Sequence, residues 1–127
     1  MIVGSGIDII EVSRIEKVVE RYGARFLDRV YTAAEQAYCL GKRNGAESLA
    51  ARFAAKEAAA KALGTGISQG VSWSEIEVIR DPRGKPGLRL HGRAGEFAAR
   101  LGVANVALSL THTGQLAVAS VVLEDGK

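Results

Sequence analysis

The sequence lacks most of the features that mark a secreted, membrane-embedded or disulfide-stabilised protein. It contains one cysteine, Cys39, which excludes a disulfide within the chain and which we expect in the core. No stretch comes near the ~18 consecutive apolar residues of a membrane helix. The first residues have neither the basic start nor the long apolar core of a signal peptide. We therefore expect a soluble, cytoplasmic protein.

Motifs for several common chemistries are also missing. Aromatic residues make up only 6% of the chain, and none alternate with basic residues as on a base-stacking surface, so single-stranded nucleic-acid binding is disfavoured. Gly64 and Gly66 follow a predicted helix and precede no Lys-Ser/Thr pair, which excludes a Walker A loop. Ser109 and His112 lack the G-x-S-x-G motif that a serine hydrolase would show.

The chain does contain enough apolar material for one core. It has 127 residues, of which 47% are hydrophobic, and we expect a single domain over residues 1–127. The net charge of +3 favours an acidic or phosphorylated partner. Charge alone does not choose among nucleic acid, nucleotide and acidic protein.

The first half of the chain predicts one strand followed by helices. An apolar run over residues 2–10 indicates a strand with Asp8 near its end, and Gly4 and Gly6 mark places where another backbone comes close. The predicted helix caps are Ser13 with Glu16, Thr32 with Glu35, and Asn44 with Glu47, and the first two helices end at Gly23 and Gly41.

The second half predicts two hairpins separated by a short helix. Residues 75–80 and 88–90 alternate in polarity around a turn, and residues 103–110 and 116–123 do the same. Residues 94–101 have the pattern of an amphipathic helix. We expect an α+β fold in which a mainly antiparallel sheet packs against one long and several short helices.

The long helix, residues 49–63, is predicted to be apolar on two sides. One arc contains Leu49, Phe53, Ala60 and Leu63, and a second contains Ala51, Ala55, Ala58 and Ala62. Glu57 and Lys61 share the narrow strip between the arcs. A monomer of this size would have to expose one arc, so we expect an oligomer that buries both.

Glu57 and Lys61 allow two interpretations. As residues four apart on a helix, they form an ordinary ion pair. Alternatively, Glu57 joins Asp8 as an oxygen ligand of Mg²⁺, with Lys61 beside it to neutralise a phosphate. Two carboxylates suffice for Mg²⁺ when waters and substrate phosphates complete its coordination. Asp8 taken alone is equally typical of a solvent-facing residue at a strand end.

Other polar positions are open to similar alternatives. Gly64 and Thr65 follow the long helix and fit a helix C-cap, and His112 at a predicted strand end fits a structural or surface role. A small non-catalytic module that binds nucleotides or nucleic acid is the competing function. Its phosphate-seeking surface would consist of Arg14, Lys17, Arg21, Lys42 and Arg43.

Three segments in order along the chain resemble the holo-(acyl-carrier-protein) synthases, a phosphopantetheinyl transferase family. Residues 6–15 resemble the opening G-x-D-I-x-E-x-x-R-[IF] signature, and residues 52–66 match the central F-A-x-K-E-A-x-x-K-A-x-G-T-G motif. Residues 109–119 resemble the closing S-x-S-H-x-x-x-x-A-x-A pattern, except that Thr111 stands where serine is usual. The hydroxyl is retained there.

The resemblance implies a phosphopantetheinyl transferase-like fold and a transferase acting in fatty acid biosynthesis. The serine of an apo acyl carrier protein attacks the phosphorus next to pantetheine of coenzyme A, giving holo carrier protein and 3',5'-ADP. By this resemblance Asp8 and Glu57 bind Mg²⁺, and Glu57 and Lys61 are the catalytic residues. The implied coenzyme A contacts are Lys61, Gly64, Thr65, His112 and Arg52. The identity of the general base stays open: Glu57, acting through a metal-bound water, is a candidate, whereas His112 is better assigned as a coenzyme A contact.

The resemblance also implies partners. The family works as a homotrimer with active sites at subunit boundaries, and nucleic acid and membrane are not expected partners. The implied carrier-protein surface, which receives an acidic helix, consists of Arg14, Arg21, Arg25 and Phe26. A phosphopantetheinyl transferase subclass with broader carrier specificity is the second alternative, but its chains are about twice as long.

Overall fold

The computed structural model describes residues 1–127 and has an α+β architecture, as the sequence predicts. Its strands and helices are β1 (Ile2–Glu11), α1 (Val12–Tyr22), α2 (Ala24–Val30), α3 (Ala33–Leu40), α4 (Gly45–Leu63), β2 (Ile76–Arg80), β3 (Pro86–Leu90), α5 (Gly92–Leu101), β4 (Asn105–His112) and β5 (Leu116–Glu124). A single 3₁₀ turn, Trp73–Glu75, precedes β2. No helix has the length and apolar character needed to cross a membrane.

All strand pairing is antiparallel, and the strands form two sheets. The larger sheet has the order β1-β5-β4, so β1 and β4 are its edges, and β2 pairs with β3 in a separate hairpin. In the larger sheet Asp8 lies opposite Ala119. Both predicted hairpins are therefore confirmed, and the antiparallel strands divide between two sheets.

The helix boundaries differ from the sequence predictions at the start of the chain. Thr32 and Glu35 form the predicted capping box at α3. Ser13 caps nothing, because α1 begins directly after β1 at Val12 and has Glu11 at its N-cap. The sequence patterns also missed α2. Gly23, with φ at 55°, ends α1 and at once begins α2, so it joins two helices where a simple stop was predicted.

Helix α4 lies against the inner face of the larger sheet at very short range. A Cβ atom added at Gly4 would overlap the carbonyl oxygen of Ala62, and one added at Gly6 would overlap that of Ala58. Only glycine leaves room for this approach, which confirms the predicted close backbone contact. The glycines of β1 thereby set the distance between the strand and the residues of α4 that follow Glu57.

The chain itself buries both apolar arcs of α4, and our prediction that a monomer would expose one arc is wrong. Ala58 is fully buried and Ala62 nearly so, and Leu49 and Leu63 on the opposite arc are equally inaccessible. The sheet covers one side of the helix, while the other elements cover the rest. Among the large apolar side chains left exposed, Ile7 and Ile9 lie together on the outer face of the larger sheet.

A buried ion pair joins α4 to the β2–β3 hairpin. Lys56 Nζ lies 2.7 Å from Glu35 Oε1 and also donates to the carbonyl oxygens of Trp73, at 3.0 Å, and Ile76, at 2.6 Å. Glu35 in turn accepts the backbone N–H of Val78 through Oε2. Burial lowers the pKa of Lys56, although the Glu35 carboxylate opposes this shift. Every charged atom of the pair is satisfied, and the hairpin is fixed to the helix.

Candidate active site

Asp8 and Lys61 meet at the free edge of the larger sheet. Gly4, Gly6 and Asp8 of β1 face α4, and Lys61 Nζ lies 2.9 Å from Asp8 Oδ1. The same ammonium donates to the carbonyl oxygen of Ile7 at 3.0 Å, which is accessible because β1 is an edge strand. The Lys61 side chain is half exposed, at 50%. The ammonium can therefore leave these partners for a solvent-borne anion at small cost.

Glu57 lies one helical turn before Lys61 but does not pair with it. Its Oε1 accepts the indole N–H of Trp73 at 2.8 Å, and its Oε2 has no hydrogen bond within the chain. The interpretation of Glu57 and Lys61 as an ordinary ion pair is therefore wrong for this structure. Lys61 pairs instead with Asp8, a carboxylate of β1, one helical turn beyond Glu57.

Trp73 is a feature of this site that the sequence patterns did not reveal. Its ring stacks on Phe53, with 6.1 Å between the ring centroids, and the Arg29 guanidinium lies 5.6 Å from its centroid. The one available signal was that Trp73 is the only tryptophan of the chain. Its contact with Glu57 spans sixteen positions of sequence and has no local pattern.

Gly64 and Thr65 form the C-cap of α4, next to Lys61. Gly64 takes φ at 82°, and its N–H reaches the carbonyl oxygens of Ala60 and Lys61. Thr65 is 9% exposed, and its hydroxyl donates to the carbonyl of Gly66. The C-cap interpretation is confirmed, and Gly64 and Thr65 lie within two residues of the helix end that carries Lys61.

His112 lies at the opposite end of α4. Its Nδ1 is 3.0 Å from Oε1 of Glu47, a residue in the first turn of that helix. Fourteen residues separate Glu47 from Lys61, a span of about 21 Å at 1.5 Å per residue. The structure therefore does not bring His112 to Asp8, Glu57 and Lys61 within one chain.

Arg52 occupies a cationic cavity between α3, α4 and β2. The cavity measures about 370 Å³ and includes Tyr38 and Arg80 in its lining. Arg52 is 3% exposed, its Nε has no hydrogen-bond partner, and its guanidinium lies 4.2 Å from the Tyr38 ring centroid. Burial acts to raise the pKa of Tyr38, but a hydrogen bond with Lys42 and the nearby Arg80 lower it below its usual range. Two glutamates of the lining, Glu35 and Glu77, offset part of the positive charge, and Glu35 Oε2 lies 4.0 Å from Arg52 Nε.

A groove of about 450 Å³ lies between α1 and α2. Its lining consists of Val18, Tyr22, Arg25, Phe26 and Arg29. Arg25 and Phe26 were predicted for partner binding, and Arg29 was not. Arg21 lies beside the groove over the Tyr22 ring, at 5.4 Å. Arg14 is exposed on α1 and does not line the groove.

No three His, Cys, Asp or Glu side chains cluster closely enough to hold a metal by themselves. Asp8 and Glu57 provide only hard oxygen donors, and Glu57 Oε2 is free of hydrogen bonds within the chain. This donor set fits Mg²⁺ if a phosphorylated substrate completes the coordination.

Comparison with known proteins gives one consistent result. The model of the 4'-phosphopantetheinyl transferase superfamily matches residues 4–120. The chain is 55% identical to a holo-[acyl-carrier-protein] synthase of Koribacter versatilis, over 98% of this chain and 100% of that one.

Solved structures agree. A holo-(acyl-carrier-protein) synthase from Bacillus anthracis, in complex with CoA (3',5'-ADP), is 44% identical with a TM-score of 0.83 over 99% of both chains. The Neisseria meningitidis synthase is 37% identical with a TM-score of 0.88, over 98% of this chain and 99% of that one.

Proposed function

The chain belongs to the 4'-phosphopantetheinyl transferase superfamily and, within it, to the holo-[acyl-carrier-protein] synthases, and we propose that it performs their reaction through Asp8, Glu57 and Lys61. It transfers the 4'-phosphopantetheine group of coenzyme A to a serine of apo acyl carrier protein. The products are the holo carrier protein, for fatty acid biosynthesis, and 3',5'-ADP. Because coenzyme A is a cytoplasmic substrate, we place the reaction in the cytoplasm.

The observation that carries this proposal is the meeting of Asp8 with Lys61 one helical turn from Glu57. Lys61 Nζ and Asp8 Oδ1 are 2.9 Å apart at a half-exposed edge, and Glu57 presents a free oxygen nearby in sequence. A cation paired with one carboxylate and one helical turn from another is an arrangement suited to binding a pyrophosphate together with a divalent ion.

Mg²⁺ is the metal that this donor set suits, and Asp8 and Glu57 are the residues that would hold it. When bound, the ion would polarise the phosphoryl oxygens and offset the charge that develops there. Lys61 would exchange its contacts with Asp8 and Ile7 for a phosphate oxygen of coenzyme A. This exchange replaces one anionic partner by another, so the Lys61 ammonium keeps a charged partner.

Coenzyme A extends well beyond its pyrophosphate, and its outer part needs further contacts. We assign the turn at Gly64 and Thr65 to the pyrophosphate end, since it directly follows the last turn of α4, which carries Lys61. Arg52, whose buried Nε makes no hydrogen bond and lies 4.0 Å from Glu35, is assigned to another anionic group of the same molecule. His112 is assigned to coenzyme A as well.

The separation of His112 from Lys61 supports a homotrimer with active sites at subunit boundaries. Within one chain the two residues lie at opposite ends of α4, so one coenzyme A reaches both more readily when a second copy supplies His112. The outer face of the larger sheet offers an apolar contact surface, where Ile7 is 65% and Ile9 61% exposed. Burial of such a face is a usual reason for association.

The groove between α1 and α2 is the proposed docking site for the carrier protein. Arg25 and Arg29 line it together with Phe26. Arg14 and Arg21 lie on α1, the helix that forms the other side of the groove. An acidic helix with an apolar stripe would meet cations at the rim and aromatic surface at the centre.

Release of 3',5'-ADP tests the proposal. The purified protein should form 3',5'-ADP from coenzyme A only when both Mg²⁺ and an apo carrier protein are present. Omission of either component, or a carrier whose acceptor serine is replaced by alanine, is the control. Formation of 3',5'-ADP at an equal rate without carrier would indicate a hydrolase, and no formation in the complete mixture would reject the transferase.

A further inference from the structure

Trp73 makes the one hydrogen bond that orients the Glu57 side chain. Its indole Nε1 lies 2.8 Å from Glu57 Oε1, whereas Oε2 has no hydrogen bond within the chain. A glutamate on a helix surface otherwise samples several rotamers, and each rotamer points the carboxylate elsewhere. A donor on one oxygen selects among these rotamers and leaves the other oxygen available.

Trp73 is itself held by neighbours on several sides. Its ring stacks on Phe53 at an interplanar angle of 28°. Its carbonyl oxygen accepts a hydrogen bond from Lys56 Nζ, which is fully buried and paired with Glu35. Arg29 covers the ring from the side of the docking groove. The indole N–H is therefore presented to Glu57 from a rigid base rather than from a mobile loop.

We propose that Trp73 is a positioning residue for the transfer reaction. It fixes the Glu57 carboxylate through Oε1, so that Oε2 stays directed away from the indole and available to a cation or to the substrate. This inference rests on the proposed function and names a residue that acts on the reaction only through Glu57. The buried pair of Lys56 and Glu35 supports this arrangement, because Lys56 also donates to the carbonyl oxygen of Trp73.

The hydrogen bond can be observed directly, because the chain has a single tryptophan. A ¹H–¹⁵N NMR spectrum of the full chain therefore shows one indole resonance. We expect it at low field in the wild type, as for an N–H bonded to a carboxylate, and shifted upfield in Glu57→Ala. Asp8→Ala removes the other proposed metal-binding carboxylate and is the matched control, in which the resonance should keep its position. An unchanged indole resonance in Glu57→Ala would overturn the proposal.

The catalytic consequence requires a variant that keeps the ring and loses the N–H. Trp73→Phe retains stacking on Phe53 and contact with Arg29, so carrier docking should persist. We expect kcat to fall about tenfold, while KM for coenzyme A and for the carrier stays within about twofold of the wild type. In a Glu57→Ala background, which has no acceptor for the indole N–H, the same substitution should cost little more, because its effect passes through the Glu57 side chain.

The possible outcomes distinguish the positioning role of Trp73 from the proposed transferase activity. A wild-type kcat in Trp73→Phe overturns the positioning role while the transferase stands. An equal proportional loss in the wild-type and Glu57→Ala backgrounds also overturns it, because a general structural role would act alike in both. If the wild-type protein transfers nothing, the proposed function fails, and the positioning role falls with it even when the indole resonance reports the hydrogen bond.

Discussion

Glu57 and Lys61 are neighbours on one helix, yet each is paired with a different residue elsewhere in the chain. Lys61 forms an ion pair with Asp8 of β1, and Glu57 accepts a hydrogen bond from Trp73. A direct pair between Glu57 and Lys61 would have occupied both groups on the helix surface. Their separate pairing leaves an oxygen of Glu57 and a half-exposed ammonium available for ligands.

Replacing Glu57 by glutamine tests its role as a ligand and catalytic group. The amide keeps the size of the side chain and an acceptor for Trp73, but it removes the charge. We expect turnover to fall by at least ~100-fold, or roughly 2.7 kcal/mol of transition-state stabilisation, with the fold intact. Steady-state kinetics at saturating Mg²⁺, with circular dichroism as the control for folding, measures this. Near-normal turnover would reject the assignment.

At the scale of elements, the attachment of the hairpin to α4 depends on one buried ion pair. Glu35→Gln leaves Lys56, which is fully buried, without its counter-charge. Removal of one partner of a buried pair costs about 3–5 kcal/mol, and we expect a loss of unfolding free energy of that order. Urea denaturation monitored by Trp73 fluorescence measures it.

The paired replacement Glu35→Gln with Lys56→Met is the matched control for that measurement. It removes both charges and keeps an acceptor for the backbone N–H of Val78, so it should be less destabilising than Glu35→Gln alone. Equal losses in the two variants would mean that the packing of these side chains, rather than their charges, supports the hairpin.

Helices α1 and α2 form the element pair that we propose for carrier docking. Arg25 lines the groove and Arg14 lies outside it on α1. Arg25→Glu and Arg14→Glu should each raise KM for the carrier and leave KM for coenzyme A nearly unchanged, and high salt should imitate them. Arg100→Glu on α5 changes the net charge equally and is the control. Equal effects of all three reversals would point to overall charge rather than to the groove.

The elements predictable from sequence are those with local causes. The capping box at Thr32 and the turn between β2 and β3 are contained within a few residues, and both appear as predicted. Helix α2 was missed because Gly23 ends one helix and starts the next. The burial of Lys56 could not be predicted, since its partner Glu35 lies 21 positions away.

The site residues also divide into those that a sequence motif identifies and those whose role depends on tertiary packing. Asp8, Glu57 and Lys61 were identified together from their residue types and motifs, and the structure brings Asp8 to Lys61. The partner of Glu57 was not foreseen, because the contact with Trp73 depends on how a 3₁₀ turn packs against α4. Such packing is set by the tertiary structure and leaves no periodic signal in the sequence.

At the scale of the whole molecule, the exposed sheet face replaces the far side of α4 as the expected contact between copies. Ile9→Glu places a charge on that face, and we expect folded monomers of low activity. Leu40→Glu is the matched control, since Leu40 is 56% exposed on α3 and lies outside the sheet. Light scattering with an activity assay measures both. A fully active monomeric wild type would contradict the proposed trimer, while Asp8 and Glu57 would keep their assignment.

The central claim is that this chain moves the phosphopantetheine arm of coenzyme A onto a carrier serine through the site at Asp8, Glu57 and Lys61. Intact-mass spectrometry of an apo acyl carrier protein, incubated with coenzyme A, Mg²⁺ and the protein, tests it most directly. We predict a gain of one phosphopantetheine group with the wild type and a much slower gain with Lys61→Ala. A carrier of unchanged mass after incubation with folded wild-type protein would contradict the account.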